Sequence, residues 1–187
     1  MNTDLIVLRN VLSEETCKIL ERYCLIREKR SEIYGDDVAI VEKDSVAAYS
    51  VYVDPISESL MLYLMKKIED AVGVELLPTY SFYRVYRNGN NLIKHLDREA
   101  CEVSASIFLA KGYSGSNWPL FIDGKEITLN VGDMVVYRGA DLYHWRDRFA
   151  FDGYHIQAFT HYVIKNGEYE EWKLDKRKSV FHKDREG

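Results

Sequence analysis

From Pro78 to Val163 the chain consists mostly of short alternating segments separated by Gly, Asn and Asp, and this pattern limits the fold more than any other feature. Strand side chains point to opposite faces in turn, so period-two alternation marks a sheet with one face on a core. Tyr80–Arg87 alternates in this way and sets Tyr80, Phe82, Arg84 and Tyr86 on one face, before a turn at Asn88-Gly89-Asn90-Asn91. In the segment 101–110, Cys101, Val103, Ala105, Ile107 and Leu109 share one face, and Glu102, Ser104 and Ser106 the other. Segments 118–122 and 125–129 flank Asp123-Gly124, a hairpin signature. Val131-Gly132-Asp133 leads into a strand at 134–137, Arg138-Gly139-Ala140-Asp141 turns the chain, and 154–163 is a last long strand. So many short strands with regular turns predict a barrel or sandwich.

The first 77 residues read differently. Leu5 to Leu8 is a short apolar run with strand character. Ser13 is placed to cap a helix, with Glu14 and Glu15 in the first turn where the dipole favours them. Cys17, Leu20, Tyr23 and Cys24 then fall on one face, predicting a helix over 14–29. Residues 30–45 are polar and aperiodic, with a turn expected at Tyr34-Gly35-Asp36-Asp37, and 46–53 has strand composition. Asp54-Pro55 opens a second helix, along which Met61, Leu64, Met65, Ile68 and Val72 keep helical spacing up to Gly73. The expected organisation of the 187 residues is one domain: a helical support region (1–77), a β core (78–164) and a solvated tail (165–187).

A net charge of -5 argues against wholesale nucleic-acid or membrane binding. No apolar run has transmembrane length, and the N-terminus lacks a basic-then-apolar signal. The three cysteines make no even disulfide set, and Cys17 and Cys24 would lie about 10 Å apart along one helix. A reducing, cytoplasmic compartment is the expectation.

Chemistry concentrates in Lys94-His95-Leu96-Asp97. Residues two apart on a strand share a face, so an imidazole and a carboxylate stand side by side, half of a two-His, one-carboxylate site for Fe(II). Of the later histidines, His144 is the favoured partner; it lies among strands and aromatic neighbours. His155 and His161 compete with it, and His182 sits in a charged tail.

Taken together, these residues resemble a known family. Tyr86-Arg87-Asn88-Gly89-Asn90-Asn91-Leu92-Ile93-Lys94-His95-Leu96-Asp97 is similar to the tyrosine–turn–His-x-Asp segment of prolyl 4-hydroxylase-like Fe(II)/2-oxoglutarate dioxygenases. Val131-Gly132-Asp133-Met134-Val135-Val136-Tyr137 resembles the Gly-Asp lead-in that precedes the distal histidine there, and His144 falls at that histidine's place. The resemblance covers residues 78–164, about half the chain. It implies a double-stranded β-helix core of jelly-roll or cupin-like type, here covered by the two helices. It also implies His95, Asp97 and His144 as iron ligands, and Tyr86 as a contact for 2-oxoglutarate.

One departure stands out. The family places an Arg or Lys about ten residues after the distal His, to pair the far carboxylate of 2-oxoglutarate; this chain has Gly153-Tyr154-His155-Ile156-Gln157. His155 is the positional match, as a protonated imidazole, and Gln157 shares its face. Arg146, two residues past His144, and Arg84, on the face of Tyr86, are the alternatives. Arg98 and Glu102 are read as orienting residues or as a surface pair, and Trp118 and Trp145 as pocket walls or core.

The leading expectation is therefore an oxygenase using Fe(II), 2-oxoglutarate and O2. It would hydroxylate a small-molecule or peptidyl substrate, with a peptidyl or amino-acid side chain favoured by the resemblance, and release succinate and CO2. The other readings are a non-catalytic β-barrel binding or sensing module, and a cupin-like metalloenzyme that does not use 2-oxoglutarate.

Overall fold

The computed structural model of the chain describes residues 5–35 and 48–182. Most of the expected polar loop, the first residues of the strand expected from Val46, and residues 183–187 of the tail lie outside the described residues. The elements run β1 (Leu5–Leu8), α1 (Glu14–Tyr34), β2 (Tyr49–Tyr52), α2 (Pro55–Val72), β3 (Leu76–Tyr86), β4 (Leu92–His95) and β5 (Val103–Lys111). Then come β6 (Leu120–Ile122), β7 (Lys125–Ile127), β8 (Met134–Tyr137), β9 (His144–Arg146) and β10 (His155–Ile164).

The helices begin where their caps dictate. Ser13 Oγ accepts from the Thr16 amide at 3.2 Å, and the Asp54 carboxylate accepts from the Ile56 amide at 2.9 Å with Pro55 in the first turn. α1 runs past the predicted end at residue 29, because Arg30 to Tyr34 contains no breaker and Gly35 is the first residue suited to a left-handed C-cap (φ 66°). Cys17, Leu20 and Cys24 of α1, with Met61, Leu64, Ile68 and Val72 of α2, are buried in one core. That core continues through Val103, Ala105, Ile107 and Leu109 of β5. Among the described residues, no helix is long and apolar enough to cross a membrane.

The strands form two antiparallel sheets, β1-β8-β5-β10-β3-β2 and β4-β9-β6-β7. Four pairings nest inside one another: β3 with β10, β4 with β9, β5 with β8, and β6 with β7. The chain from β3 to β10 is thus one long hairpin, folded about Asp123-Gly124 and alternating between sheets, which is the double-stranded β-helix expected. Asp123 (φ 49°) and Gly124 (φ 77°) give the tip the left-handed turn a two-residue loop requires. One face of the six-stranded sheet carries the helices. The other, with Tyr80, Phe82, Arg84, Tyr86, Ser104, Ser106, His155 and Gln157, faces into the β-helix.

The Gly-Asp lead-in to β8 has a structural task. Gly132 (φ 87°) accepts from the Val11 amide at 2.8 Å, and a Cβ there would lie 2.7 Å from the Leu12 carbonyl oxygen. Buried Asp133 accepts from Arg9 Nη1 (2.6 Å) and from the amides of Asn10 (2.9 Å) and Asn130 (2.8 Å). Together they fasten the chain after β1 to the β-helix.

The expectation of a solvated tail is corrected for its first half. Arg177 is buried, donating from Nη2 to Glu58 Oε2 at 3.0 Å and to the Thr79 carbonyl at 2.8 Å. Glu58 also accepts from Ser81 Oγ at 2.7 Å. Mixed charge in sequence looks solvated, yet a buried carboxylate on α2 requires a cation, and the tail supplies it. Arg177→Ala is expected to lower the unfolding free energy by about 3–5 kcal/mol, since it strands a buried carboxylate. Lys173→Ala, at an exposed position of the same tail, is expected to cost under about 0.5 kcal/mol. Urea unfolding of both variants checks this, and equal losses would show that the ion pair contributes nothing of its own.

Candidate metal centre and cavity

The centre is built on the pairing of β4 with β9, which sets His95 opposite His144 with ring centroids 4.3 Å apart. Each ring is held by a backbone carbonyl two residues back: His95 Nδ1 lies 2.7 Å from the Ile93 oxygen, and His144 Nδ1 3.0 Å from the Leu142 oxygen. A carbonyl only accepts, so Nδ1 carries the proton and Nε2 presents a lone pair. Both Nε2 atoms approach Asp97 Oδ1, at 3.4 Å from His95 and 3.5 Å from His144.

Asp97 is placed differently from the sequence expectation. β4 ends at His95, so the strand pleat does not position the carboxylate. Instead the Asp97 amide donates to the Gly139 carbonyl (3.0 Å), and Oδ2 accepts from Ser104 Oγ (3.0 Å). Gly139 has to be glycine for space: a Cβ there would lie 2.3 Å from both Asp97 Oδ2 and Ser104 Oγ. Burial alone would raise the Asp97 carboxyl, but its close contacts with His144 and His95 outweigh it and hold the group well below the usual carboxylate range.

Two bare imidazole nitrogens and an ionised oxygen in mutual contact form a set of electron-pair donors without a proton donor. Metal bonds of about 2.0–2.2 Å set at right angles put ligand atoms about 3 Å apart, close to the separations seen. The residues therefore fit a metal ion bound on one face, leaving other positions open. Asp97, Cys101 and His161 form a second group of potential ligands within 4.8 Å. Its thiol is engaged by the Tyr80 hydroxyl at 3.1 Å and is pushed well up by burial and by the Asp97 charge, so it stays protonated.

Behind the centre lies Arg146, two residues along β9 from His144 and so on the same face, about 7 Å further by strand rise. It is 2% exposed and has no carboxylate partner among the described residues. Nη1 donates to the Trp118 carbonyl at 2.7 Å, and the guanidinium lies 4.7 Å over the Trp118 ring. Burial draws its pKa down to about 10, while Tyr86, Tyr113 and Tyr137 pull the other way, so it remains charged at neutral pH. Arg146 Nε, the Tyr86 hydroxyl and Trp118 Nε1 are all buried without a partner. Two unsatisfied donors beside a buried cation that has an unsatisfied N–H of its own suit an anion.

His155 and Gln157 lie in the same interior but are already satisfied. His155 Nε2 pairs with Gln157 Oε1 at 2.9 Å, Nδ1 lies 3.4 Å from the Tyr113 hydroxyl, and Gln157 Nε2 donates to Ser106 Oγ at 2.8 Å. Burial first, and then the Arg146 charge, push His155 well below the ordinary histidine range. The expectation of a protonated His155 is thus reversed: the ring is neutral.

A cavity of about 410 Å³ opens onto the metal centre, lined also by Tyr80, Phe82, Arg84, Arg98, Phe159 and His161. Neither tryptophan lines it: Trp118 lies under Arg146, and Trp145 stacks on Phe121 at 5.2 Å on the outer side of β9. Arg98 and Glu102 do not pair with each other. Arg98 bonds buried Asp175 of the tail at 2.5 Å, and Glu102 accepts from the Ile164 amide at 2.8 Å. Sequence reasoning singled out neither Ser104 nor Gly139 for the site. Their only signals were the alternation of β5 and the glycine in the turn before His144.

No protein-family model matches the chain, and no curated protein matches it in sequence. Solved structures do match it in fold. A prolyl-4-hydroxylase from Pseudomonas putida is 16% identical, over 84% of this chain and 92% of that one, with a TM-score of 0.62. The viral collagen prolyl hydroxylase from Paramecium Bursaria Chlorella virus-1, in its 2OG complex, is 12% identical over 86% of this chain and 96% of that one, with a TM-score of 0.62. EctD from S. alaskensis, with bound Fe, is 16% identical over 85% of this chain and 72% of that one, with a TM-score of 0.63. The resemblance drawn from the motifs is matched at the level of fold.

Ser104→Ala frees Asp97 Oδ2 and is expected to weaken metal binding about 10- to 100-fold, as loss of a ligand-orienting hydrogen bond does. Gly139→Ala is expected to weaken it further by displacing the carboxylate. Ser106→Ala, on the same face of β5 but bonded to Gln157, should leave metal affinity near wild type. Calorimetric titration with Fe(II) under anaerobic conditions checks the order, and equal affinities in all three would contradict the assignment.

Proposed function

We propose that this chain is an Fe(II)- and 2-oxoglutarate-dependent oxygenase that hydroxylates a small-molecule or peptidyl substrate and releases succinate and CO2. The observation that carries this reading is the spacing on β9: a metal-ligand histidine at 144 and, two residues on, a buried guanidinium with no anion of its own. A dicarboxylate that chelates a metal through one end and extends a carboxylate from the other fits that spacing.

In this reading His95, Asp97 and His144 hold the iron, with Nδ1 protons on backbone carbonyls and Nε2 lone pairs turned inward. Arg146 receives the far carboxylate of 2-oxoglutarate, aided by the Tyr86 hydroxyl, and Trp118 Nε1 offers a third donor. When bound, the iron supplies O2 activation, with 2-oxoglutarate as the source of electrons. Ser104 keeps Asp97 Oδ2 occupied, so that Oδ1 faces the ion. His155 and Gln157 complete the inner wall as neutral groups, which keeps a second positive charge from competing with Arg146. The Fe-bound and 2OG-bound neighbours support the assignment. A binding module has no need of three such ligands in this order. Cys17, Cys24 and Cys101 are free and buried, in keeping with a reducing, cytoplasmic setting.

The test is 2-oxoglutarate turnover, read as succinate and CO2. Arg146→Met is expected to raise KM for 2-oxoglutarate about 10- to 100-fold, the worth of a charge-assisted hydrogen bond, with Fe(II) affinity retained. His155→Gln should change KM by less than about threefold, a small energy on this scale. The opposite order would return the carboxylate seat to His155. No turnover by the wild-type protein with any substrate candidate would sink the oxygenase reading.

A further inference from the structure

His161 belongs to neither the ligand set nor the anion seat, yet it lines the cavity beside Asp97 and is 3% exposed. Its protonation pattern follows from its neighbours. Asp97, as a metal ligand, is a carboxylate and can only accept. The single proton of Ser104 Oγ therefore goes to Asp97 Oδ2 at 3.0 Å, the better of its two acceptors, the other being the Cys101 carbonyl at 3.3 Å. Ser104 Oγ then has only lone pairs to offer His161 Nδ1, 2.9 Å away, so Nδ1 must carry the imidazole proton. Nε2 is left bare, buried and without a hydrogen-bond partner.

Two polar neighbours are engaged elsewhere. The Tyr80 hydroxyl, whose ring lies 4.6 Å from His161, is engaged with Cys101 Sγ, and Arg98 Nη1 is engaged with Asp175. Apolar rings stand beside it, Phe82 at 5.7 Å from the imidazole and Phe159 stacked on Phe82 at 4.6 Å, with the Arg84 guanidinium lying 5.0 and 5.8 Å over those two rings. We infer that His161 is a substrate-binding residue whose Nε2 accepts a hydrogen bond from a hydroxyl or N–H of the substrate, while Phe82 and Phe159 take its apolar framework. The assignment rests on the cavity being the substrate site of the oxygenase proposed above. It deepens that reading, because it limits the substrate to molecules that carry a donor beside an apolar body. A site built around a hydrogen-bond acceptor rejects an analogue that lacks the donor, because the buried acceptor is then left unpaired.

The experiment uses the full chain, labelled with 15N-histidine and loaded with Zn(II) and 2-oxoglutarate, and repeats each measurement without either. The probes are 3-phenylpropan-1-ol and its methyl ether, which differ only in the donor. The expected result is a His161 ring protonated at Nδ1 and bare at Nε2, with the Nε2 resonance shifting on addition of the alcohol. The alcohol is expected to bind about five- to tenfold more tightly than the ether, the worth of one hydrogen bond. His161→Phe should abolish that preference while keeping a ring beside Tyr80, and His161→Gln, which restores an acceptor, should recover part of it. A proton on Nε2, equal binding of the two probes, or binding of neither would overturn the inference. If the preference holds in the repeat without Zn(II) and 2-oxoglutarate while 2-oxoglutarate itself fails to bind, the oxygenase reading falls and the donor-selective site stands.

Discussion

The antiparallel pairing of β4 with β9, His95 against His144, is the constraint on which the rest of the site depends. It brings two imidazoles from positions 49 apart in the chain to ring-centroid contact. Backbone carbonyls of the same segments hold the Nδ1 protons, so the lone pairs point to one place. The pairing is itself one rung of a nested hairpin that runs from β3 to β10, so register at the site is maintained by every rung above and below it. A one-residue slip in such a ladder would turn His95 and Arg146 alike to the wrong face.

The interior of the β-helix carries an unusual polar load, and its charges are arranged by burial. Two groups compete to hold the positive charge on the inner wall. His155, fully enclosed and near Arg146, loses its proton, whereas Arg146 keeps its charge although burial pulls its pKa down to about 10. The buried positive charge of the inner wall is thus carried by β9, and the facing part of the final strand holds a neutral His–Gln pair. A cation enclosed in this way is costly unless an anion joins it.

Much of this was legible in the residues. The alternation of Tyr80 to Tyr86 set the inward face of β3, Asp123-Gly124 set the hairpin tip, and Ser13 and Asp54 set the helix starts, because each is a local rule with little competition. His95 and His144 were legible from motif order. The end of α1 was not, since a polar sequence without breakers reads equally as loop or helix until Gly35 is seen to cap it. Arg177 and Asp175 were missed because a mixed-charge tail gives no sign of the buried Glu58 and the partly buried Arg98 that pair with them. The roles of Gly139 and Ser104 depend on contacts between distant segments, which no periodicity reveals. His155 was given charge by its position in the motif, and only burial beside Arg146 shows that it is neutral.

The most direct test of the account is anaerobic addition of Fe(II) and 2-oxoglutarate to the wild-type protein, watched for the weak visible metal-to-ligand charge-transfer band of the chelate. The account predicts that the band appears with wild type and is absent with His144→Ala. With Arg146→Met it should form only at much higher 2-oxoglutarate. Iron that binds to the wild-type protein without giving the band at any 2-oxoglutarate concentration would contradict it.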